Sequence, residues 1–188
     1  MKTVKVMETA RSLIKEGSYV DVKIHPDSKL TLAKMLMTLS KYGQDREPDV
    51  MPMSELHCTV MYSSSTIDDV AARGVLNPSH KYTAEVTGVD VFGPKDDTLV
   101  LLVNCKELTD LHNQLLGIGA APTFPDYKAH ITIQKPYTER FKTKLEKFLK
   151  ELEEPIEIQL YRERMSALSS AENFAEVAHL MEVAEVPK

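Results

Sequence analysis

Two triplets in the chain pair an imidazole with a hydroxyl two positions on, His57-Cys58-Thr59 and His130-Ile131-Thr132. Each sits in an apolar, β-prone run, ELHCTVM at 55–61 and KAHITIQ at 128–134. Side chains alternate faces along a strand, so His57 and Thr59 share a face, as do His130 and Thr132, each pair roughly 7 Å apart. Cys58, Val60, Ile131 and Ile133 then point the other way, toward a core. Two histidines around one cavity can serve together as general acid and general base, because an imidazole with a pKa near 6.5 populates both protonation states around neutrality. Phosphodiester cleavage needs such a pair. One imidazole takes the proton of an attacking ribose 2′-hydroxyl or water and the other protonates the departing 5′-oxygen, while the threonine hydroxyls hydrogen-bond the nonbridging oxygens. The scheme requires no metal. A single His-x-Thr triplet arises readily on a half-exposed strand, where Thr is favoured; repetition in two matched strands singles these four residues out. His25, His80, His112 and His179 have no Ser or Thr two positions on and read as surface or satisfied histidines.

Two residues before each histidine the same face carries Glu55 in one strand and Lys128 in the other. Glu55 could orient His57 or meet a base edge, and Lys128 could bind phosphate, although a solvated strand residue explains either one. Gln134 continues the face beyond Thr132. The chain has no Trp, so base stacking falls to Tyr and Phe. Tyr19, on the polar face of its strand, is the first candidate, and Phe124, in a Gly- and Pro-rich stretch, could line a lid. Tyr62 and Tyr127 are an odd number of residues from their histidines and are expected on the opposite face.

The elements that must position these groups follow from periodicity. Residues 4–16 have near-helical apolar spacing and stop at Gly17. SYVDVKI at 18–24 is a strand with Val20, Val22 and Ile24 on one face and Tyr19, Asp21 and Lys23 on the other. A helix after Pro26, capped by Asp27 or Ser28 and ending near Gly43, carries Leu32, Met35, Leu36 and Leu39. A short helix starts near Thr66, its acidic pair Asp68-Asp69 explained by capping. The runs 81–92 and 98–104 form a hairpin across GPKDD at 93–97. Leu108, Leu111 and Leu115 mark a helix, 117–127 a loop at a rim, and 138–153 an amphipathic helix ended by Pro155. A strand begins at Ile156, and 173–184 fits strand or helix equally, taken here as a closing strand. The order gives an α+β protein with helices packed outside antiparallel sheet.

At 188 residues the chain makes one domain, or one built from two similar lobes. Hydrophobic residues at 43 % and charged residues at 27 % are ordinary for a packed domain. A net charge of −5 argues against a surface for long DNA or RNA, but leaves room for a small nucleotide in a local pocket. Cys58 and Cys105 are too few for a disulfide scaffold, which favours a reducing cytoplasm. No leader-like apolar segment or membrane span of roughly 18 apolar residues is expected. The GxxxxGK[ST], HExxH, paired CxxC and GxSxG patterns are all absent, and no metal site or cofactor is expected.

On these residues the chain resembles the 2H phosphoesterase superfamily, named for two His-x-Thr/Ser motifs on strands of two pseudo-symmetric lobes. HCTV at 57–60, HITI at 130–133 and the hairpin carrying Phe92-Gly93-Pro94 fit that pattern, within a resemblance spanning about residues 18–183. GSYVDVKI at 17–24 and HCTVMYS at 57–63 look most like the phage anti-CBASS proteins, which degrade the cyclic oligonucleotide messengers of bacterial immunity. The resemblance implies a bilobal α+β fold of two antiparallel lobes, helices outside and a central cleft, in a single domain at 18–188 behind a helical extension at 1–17. It implies catalysis by His57, Thr59, His130 and Thr132, without metal or cofactor. The implied substrates are cyclic di- and trinucleotides, cGAMP among them, hydrolysed at 3′,5′ bonds in the cytoplasm of an infected bacterium, with no membrane or long nucleic acid as partner. Ala129 stands where a Pro commonly precedes the second His of related phosphoesterases, which weakens a close match to the RNA-ligase-like branch. The alternatives are a 2′,3′-cyclic phosphodiesterase or RNA-end enzyme of the same superfamily, and a protein that sequesters a nucleotide uncleaved. Which histidine is acid and which is base, the ring size and the oligomeric state stay open.

Overall fold

The computed structural model describes residues 17–41, 50–93, 97–124 and 126–168. The expected helix at 4–16, the hairpin tip at 94–96 and the expected closing strand at 173–184 lie outside these residues. The chain runs β1 (Ser18–Ile24), α1 (Pro26–Lys41), β2 (His57–Ser63), α2 (Asp69–Val75), β3 (Lys81–Phe92), β4 (Thr98–Asn104), α3 (Lys106–Gly117), β5 (His130–Gln134), α4 (Glu139–Glu151) and β6 (Glu157–Ala167). This is the α+β class the sequence implies. The strands close into one barrel in the order β1-β2-β5-β4-β3-β6, every neighbouring pair antiparallel. The two halves therefore meet twice, along β2 and β5 and again along β3 and β6.

One face of the sheet is apolar. Val20, Val22, Ile24, Cys58, Val60, Leu99, Leu101, Ile131 and Ile133 are fully or almost fully buried and belong to one core with Leu32 and Leu36 of α1, Leu108 and Leu115 of α3, and Phe141 and Leu145 of α4. Burial of such side chains contributes about 1.5–3 kcal/mol each, so this face fixes the register of every strand. His112 of α3 is the satisfied histidine expected: buried, it bonds the Val60 carbonyl through Nδ1 at 2.9 Å and stacks on Tyr127 with ring centroids 4.1 Å apart.

Two helix starts differ in detail from the sequence reading. In α1, Pro26 occupies the first helical position, where its missing N–H costs nothing, and His25 precedes it. The Asp27 N–H turns back to His25 Nδ1 at 3.4 Å, while Ser28 Oγ accepts from Gln159 N–H at 2.9 Å and ties α1 to β6. Asp27 and Ser28 are thus first-turn residues and not the cap. α2 begins at Asp69, not near Thr66, because Asp68 Oδ1 takes the N–H groups of Val70 and Ala71, and Ile67 N–H is spent on Ser18 Oγ at 2.9 Å. Among the described residues, no helix is long and apolar enough to cross a membrane.

Four bulges interrupt the period-two alternation among the described residues, one of them at Thr87 of β3, where Val86 faces Val103 and Gly88 faces Leu102. Asp21 faces Thr59 and Val20 faces Met61, so Val60 is the extra residue of β2. Val100 faces Thr132 and Leu99 faces Gln134, so Ile133 is the extra residue of β5. The two bulges follow the two threonines at matching positions, and HCTVM and HITIQ share one burial pattern. On β6, Val22 faces Glu163 and Lys23 faces Tyr161, which leaves Arg162 between them at a left-handed φ of 59°. A bulge moves every later side chain on its strand to the other face.

Candidate active site

The face of β2 and β5 opposite the core carries the His-x-Thr residues, all four half-buried. Thr59 stands directly across from His130, and Cys58 across from Ile131. Counting on along the same antiparallel strands sets His57 toward Thr132, so each imidazole is matched with the hydroxyl of the other strand. The sequence could place each pair on one strand face; the register supplies this exchange.

Both imidazoles are held in the same way. His57 Nδ1 lies 2.6 Å from the Glu55 carbonyl oxygen, and His130 Nδ1 lies 2.7 Å from the Lys128 carbonyl oxygen. A carbonyl can only accept, so Nδ1 carries the proton in both rings and Nε2 is the nitrogen that gains or loses one. The His57 Nε2 meets the Tyr19 hydroxyl at 2.8 Å, and that hydroxyl meets Thr59 Oγ1 at 2.7 Å. With His57 neutral, Tyr19 donates to Nε2 and the Thr59 hydroxyl donates to Tyr19. Burial pushes the Tyr19 phenol well above its ordinary pKa, despite the opposing hydrogen bond from Thr59, so it stays protonated. His130 is shifted the other way. Burial lowers its imidazole, the Lys128 carbonyl partly restores it, and the charge of His57 lowers it again.

Tyr19, read from the sequence as a stacking residue, thus spends its hydroxyl on His57 and Thr59. Glu55 is not a strand residue. It ends the turn 53–55, its side chain is exposed, and it orients His57 through its main-chain oxygen. Lys128 is likewise outside β5 and exposed; its ammonium pairs with Asp90 Oδ2 at 3.0 Å and lies 5.8 Å from the centre of the Phe92 ring. Phe92 packs edge-on against His130 with centroids 4.8 Å apart, a contact the sequence did not signal. Phe124 is 51 % exposed at the rim.

Tyr62 is a clear correction. The Val60 bulge returns it to the face of His57, where its ring lies 5.8 Å from Tyr19 and 6.5 Å from Phe124. An aromatic row therefore runs from His57 through Tyr19 and Tyr62 to Phe124. The matching bulge at Ile133 does the opposite to Gln134: it is fully buried, and its Oε1 accepts from Thr138 N–H at 3.2 Å, so it does not continue the site face. Tyr127 stays on the far face as expected, stacked on His112. The described residues gather no group of three or more His, Cys, Asp or Glu able to hold a metal ion.

A family model described as anti-CBASS protein Acb1 matches residues 16–173. An anti-CBASS protein Acb1 of Vibrio phage KVP40 is 30 % identical over 129 residues, 68 % of this chain and 78 % of the relative. One of Escherichia phage RB16 is 26 % identical over 128 residues, 68 % of each chain. Among solved structures, E. coli LigT complexed with phosphate is 12 % identical with a TM-score of 0.47, over 82 % of this chain and 94 % of that one.

Proposed function

Because the chain belongs to the anti-CBASS protein Acb1 family, we propose that it is a phosphodiesterase that opens cyclic oligonucleotides at 3′,5′ bonds in the cytoplasm of an infected bacterium. The observation that carries this reading is the antiparallel register setting Thr59 across from His130, with both imidazoles pinned through Nδ1. Two Nε2 atoms and two hydroxyls on one face are the donor and acceptor set that cleavage of a single phosphodiester calls for.

The roles divide by environment. His130, held below the usual histidine range by burial, is the neutral partner and acts as base; His57, its Nε2 backed by the Tyr19 hydroxyl, acts as acid. His130 Nε2 takes the proton of the 2′-hydroxyl as the 2′-oxygen bonds to phosphorus. The bond from phosphorus to the 5′-oxygen breaks, and that oxygen takes the proton of protonated His57. The product is a linear oligonucleotide ending in a 2′,3′-cyclic phosphate, and water can open that ring with the histidine roles exchanged. Thr59 and Thr132 donate to the nonbridging oxygens, whose charge grows in the transition state. Tyr19 keeps His57 in line whichever way its proton moves. In the resting site a protonated Nε2 donates to the phenol, which donates to Thr59; when the ring binds, the leaving 5′-oxygen takes the phenol's place as acceptor, and the phenol donates to Nε2 once that proton has gone.

Incubation with a panel of cyclic di- and trinucleotides, resolved by chromatography and mass, tests the reading. Linear products from the parent protein, and none from His57→Ala or His130→Ala at unchanged melting temperature, are expected. Release of intact ring after heat denaturation would mean sequestration. Opening of 2′,3′-cyclic phosphates alone would mean an RNA-end enzyme.

A further inference from the structure

A cyclic oligonucleotide brings more than one phosphate, and the four His-x-Thr side chains serve the cleavage of one. A second anion on a chain of net charge −5 needs a cation fixed beside the site. The β6 bulge provides one. Ile158 and Leu160 point into the core, and plain alternation would send Arg164 after them; the extra residue at Arg162 instead turns Glu163 to the buried side and Arg164 to the site side. Across the barrel the register then reads Arg164, Asp21, Thr59, His130 in one row over β6, β1, β2 and β5. Arg164 stands two strand spacings from Thr59, roughly 10 Å between backbones, a gap that the reach of the arginine side chain and one sugar–phosphate repeat of the ring cover together.

The pairing with Asp21 is not that of an ordinary surface ion pair. Asp21 is fully buried, and both Nε at 3.2 Å and Nη2 at 2.7 Å of Arg164 converge on its Oδ2. Oδ1 is buried without a hydrogen-bond partner among the described residues. Arg–carboxylate pairs frequently set two N–H groups against two oxygens. Here the carboxylate anchors one edge of the guanidinium and leaves the rest turned outward, with the Arg164 side chain 52 % exposed. That outward part is a planar donor set suited to phosphate oxygens.

We propose that Arg164, anchored by Asp21, binds the phosphate of the ring that is not being cleaved, which makes Asp21 a positioning residue. The inference rests on the cyclic-oligonucleotide reading above. Its test compares a cyclic dinucleotide with the dinucleoside monophosphate ApA, which has a single phosphate, in the parent protein and in Arg164→Gln. Loss of Arg164 is expected to raise KM for the ring tenfold or more with kcat within about twofold, and to cost the ring at least tenfold more in kcat/KM than it costs ApA. Arg164→Lys, which keeps the charge but not the fork, recovers part of the ring affinity. Should Arg164→Gln unfold because it strands Asp21, the pair Asp21→Asn with Arg164→Gln removes the buried charge as well, and the same ring-specific loss is expected at parent-like melting temperature. Equal loss on ring and ApA, or a loss in kcat alone, would overturn the inference while ring cleavage by the parent protein stands. A parent protein that cleaves ApA and leaves rings intact would overturn the reading beneath it as well.

Discussion

Tyr19→Phe removes one oxygen and leaves the ring packing against Tyr62 in place. The oxygen lost is the one 2.8 Å from His57 Nε2 and 2.7 Å from Thr59 Oγ1. The phenol donates to Nε2 as the imidazole hands its proton to the leaving oxygen, and a hydrogen bond of about 0.5–1.5 kcal/mol lost at that step lowers kcat by a factor of roughly 2 to 13, since each 1.36 kcal/mol is tenfold. Stability moves little. His57 and Thr59 are half-buried, so solvent replaces much of what they lose, and a change of about 1 kcal/mol is expected in denaturant unfolding. Initial rates on a cyclic dinucleotide, with KM and kcat separated, make the measurement. A Tyr19→Phe protein with parent-like kcat would refute the view that this hydroxyl orients the acid. A large rise in KM at unchanged kcat would restore Tyr19 to a stacking or binding role.

Three further outcomes follow from the geometry. Activity rises with pH as His130 loses its proton, and because burial lowers its imidazole, the midpoint of that acid limb is expected below about 6.5 in a pH–kcat/KM profile; a midpoint well above that would remove His130 as base. The rate persists in excess EDTA, whereas replacing the 2′-hydroxyl beside the scissile phosphate with hydrogen slows cleavage by orders of magnitude, since a held neighbouring nucleophile supplies roughly 7–11 kcal/mol in well-oriented reactions; calorimetry should show little change in binding. Gly17→Ala destabilises by about 1–3 kcal/mol in denaturant melts, because the added Cβ would press on the Ser63 carbonyl oxygen and come 2.6 Å from Leu168 Cδ1.

The strands and the shared face of each His-x-Thr pair were legible because alternation over five to seven residues is a local property. So was the apolar face beneath them. The bulges were not legible. Nothing in VMYS announces that Val60 is skipped by β1, since skipping is decided by how two strands match along the whole pair. Two misplaced site residues trace to such a step, Tyr62 returned to the site and Gln134 buried, and a third bulge delivers Arg164, which the sequence did not single out, to the site side. Asp21 was placed on the right face, but neither its full burial nor its pairing with Arg164, which arrives from the far end of the described chain, was legible. Glu55 failed for a simpler reason. β2 begins at His57, so the face argument was extended two residues past the end of the strand. Gly17, read as the end of a helix, is also required by the close approach of Ser63 and Leu168.

The division of labour between the histidines is tested most directly by a cyclic dinucleotide whose scissile 5′-oxygen is replaced by sulfur. A thiolate leaves without needing a proton, so the acid becomes dispensable while the base does not. His57→Ala is expected to regain most of the parent rate on the sulfur-bridged ring, and His130→Ala is expected to stay inactive on both rings. Rescue of His130→Ala instead would exchange the two roles, and failure of the sulfur to rescue either variant would contradict acid–base cleavage by this pair.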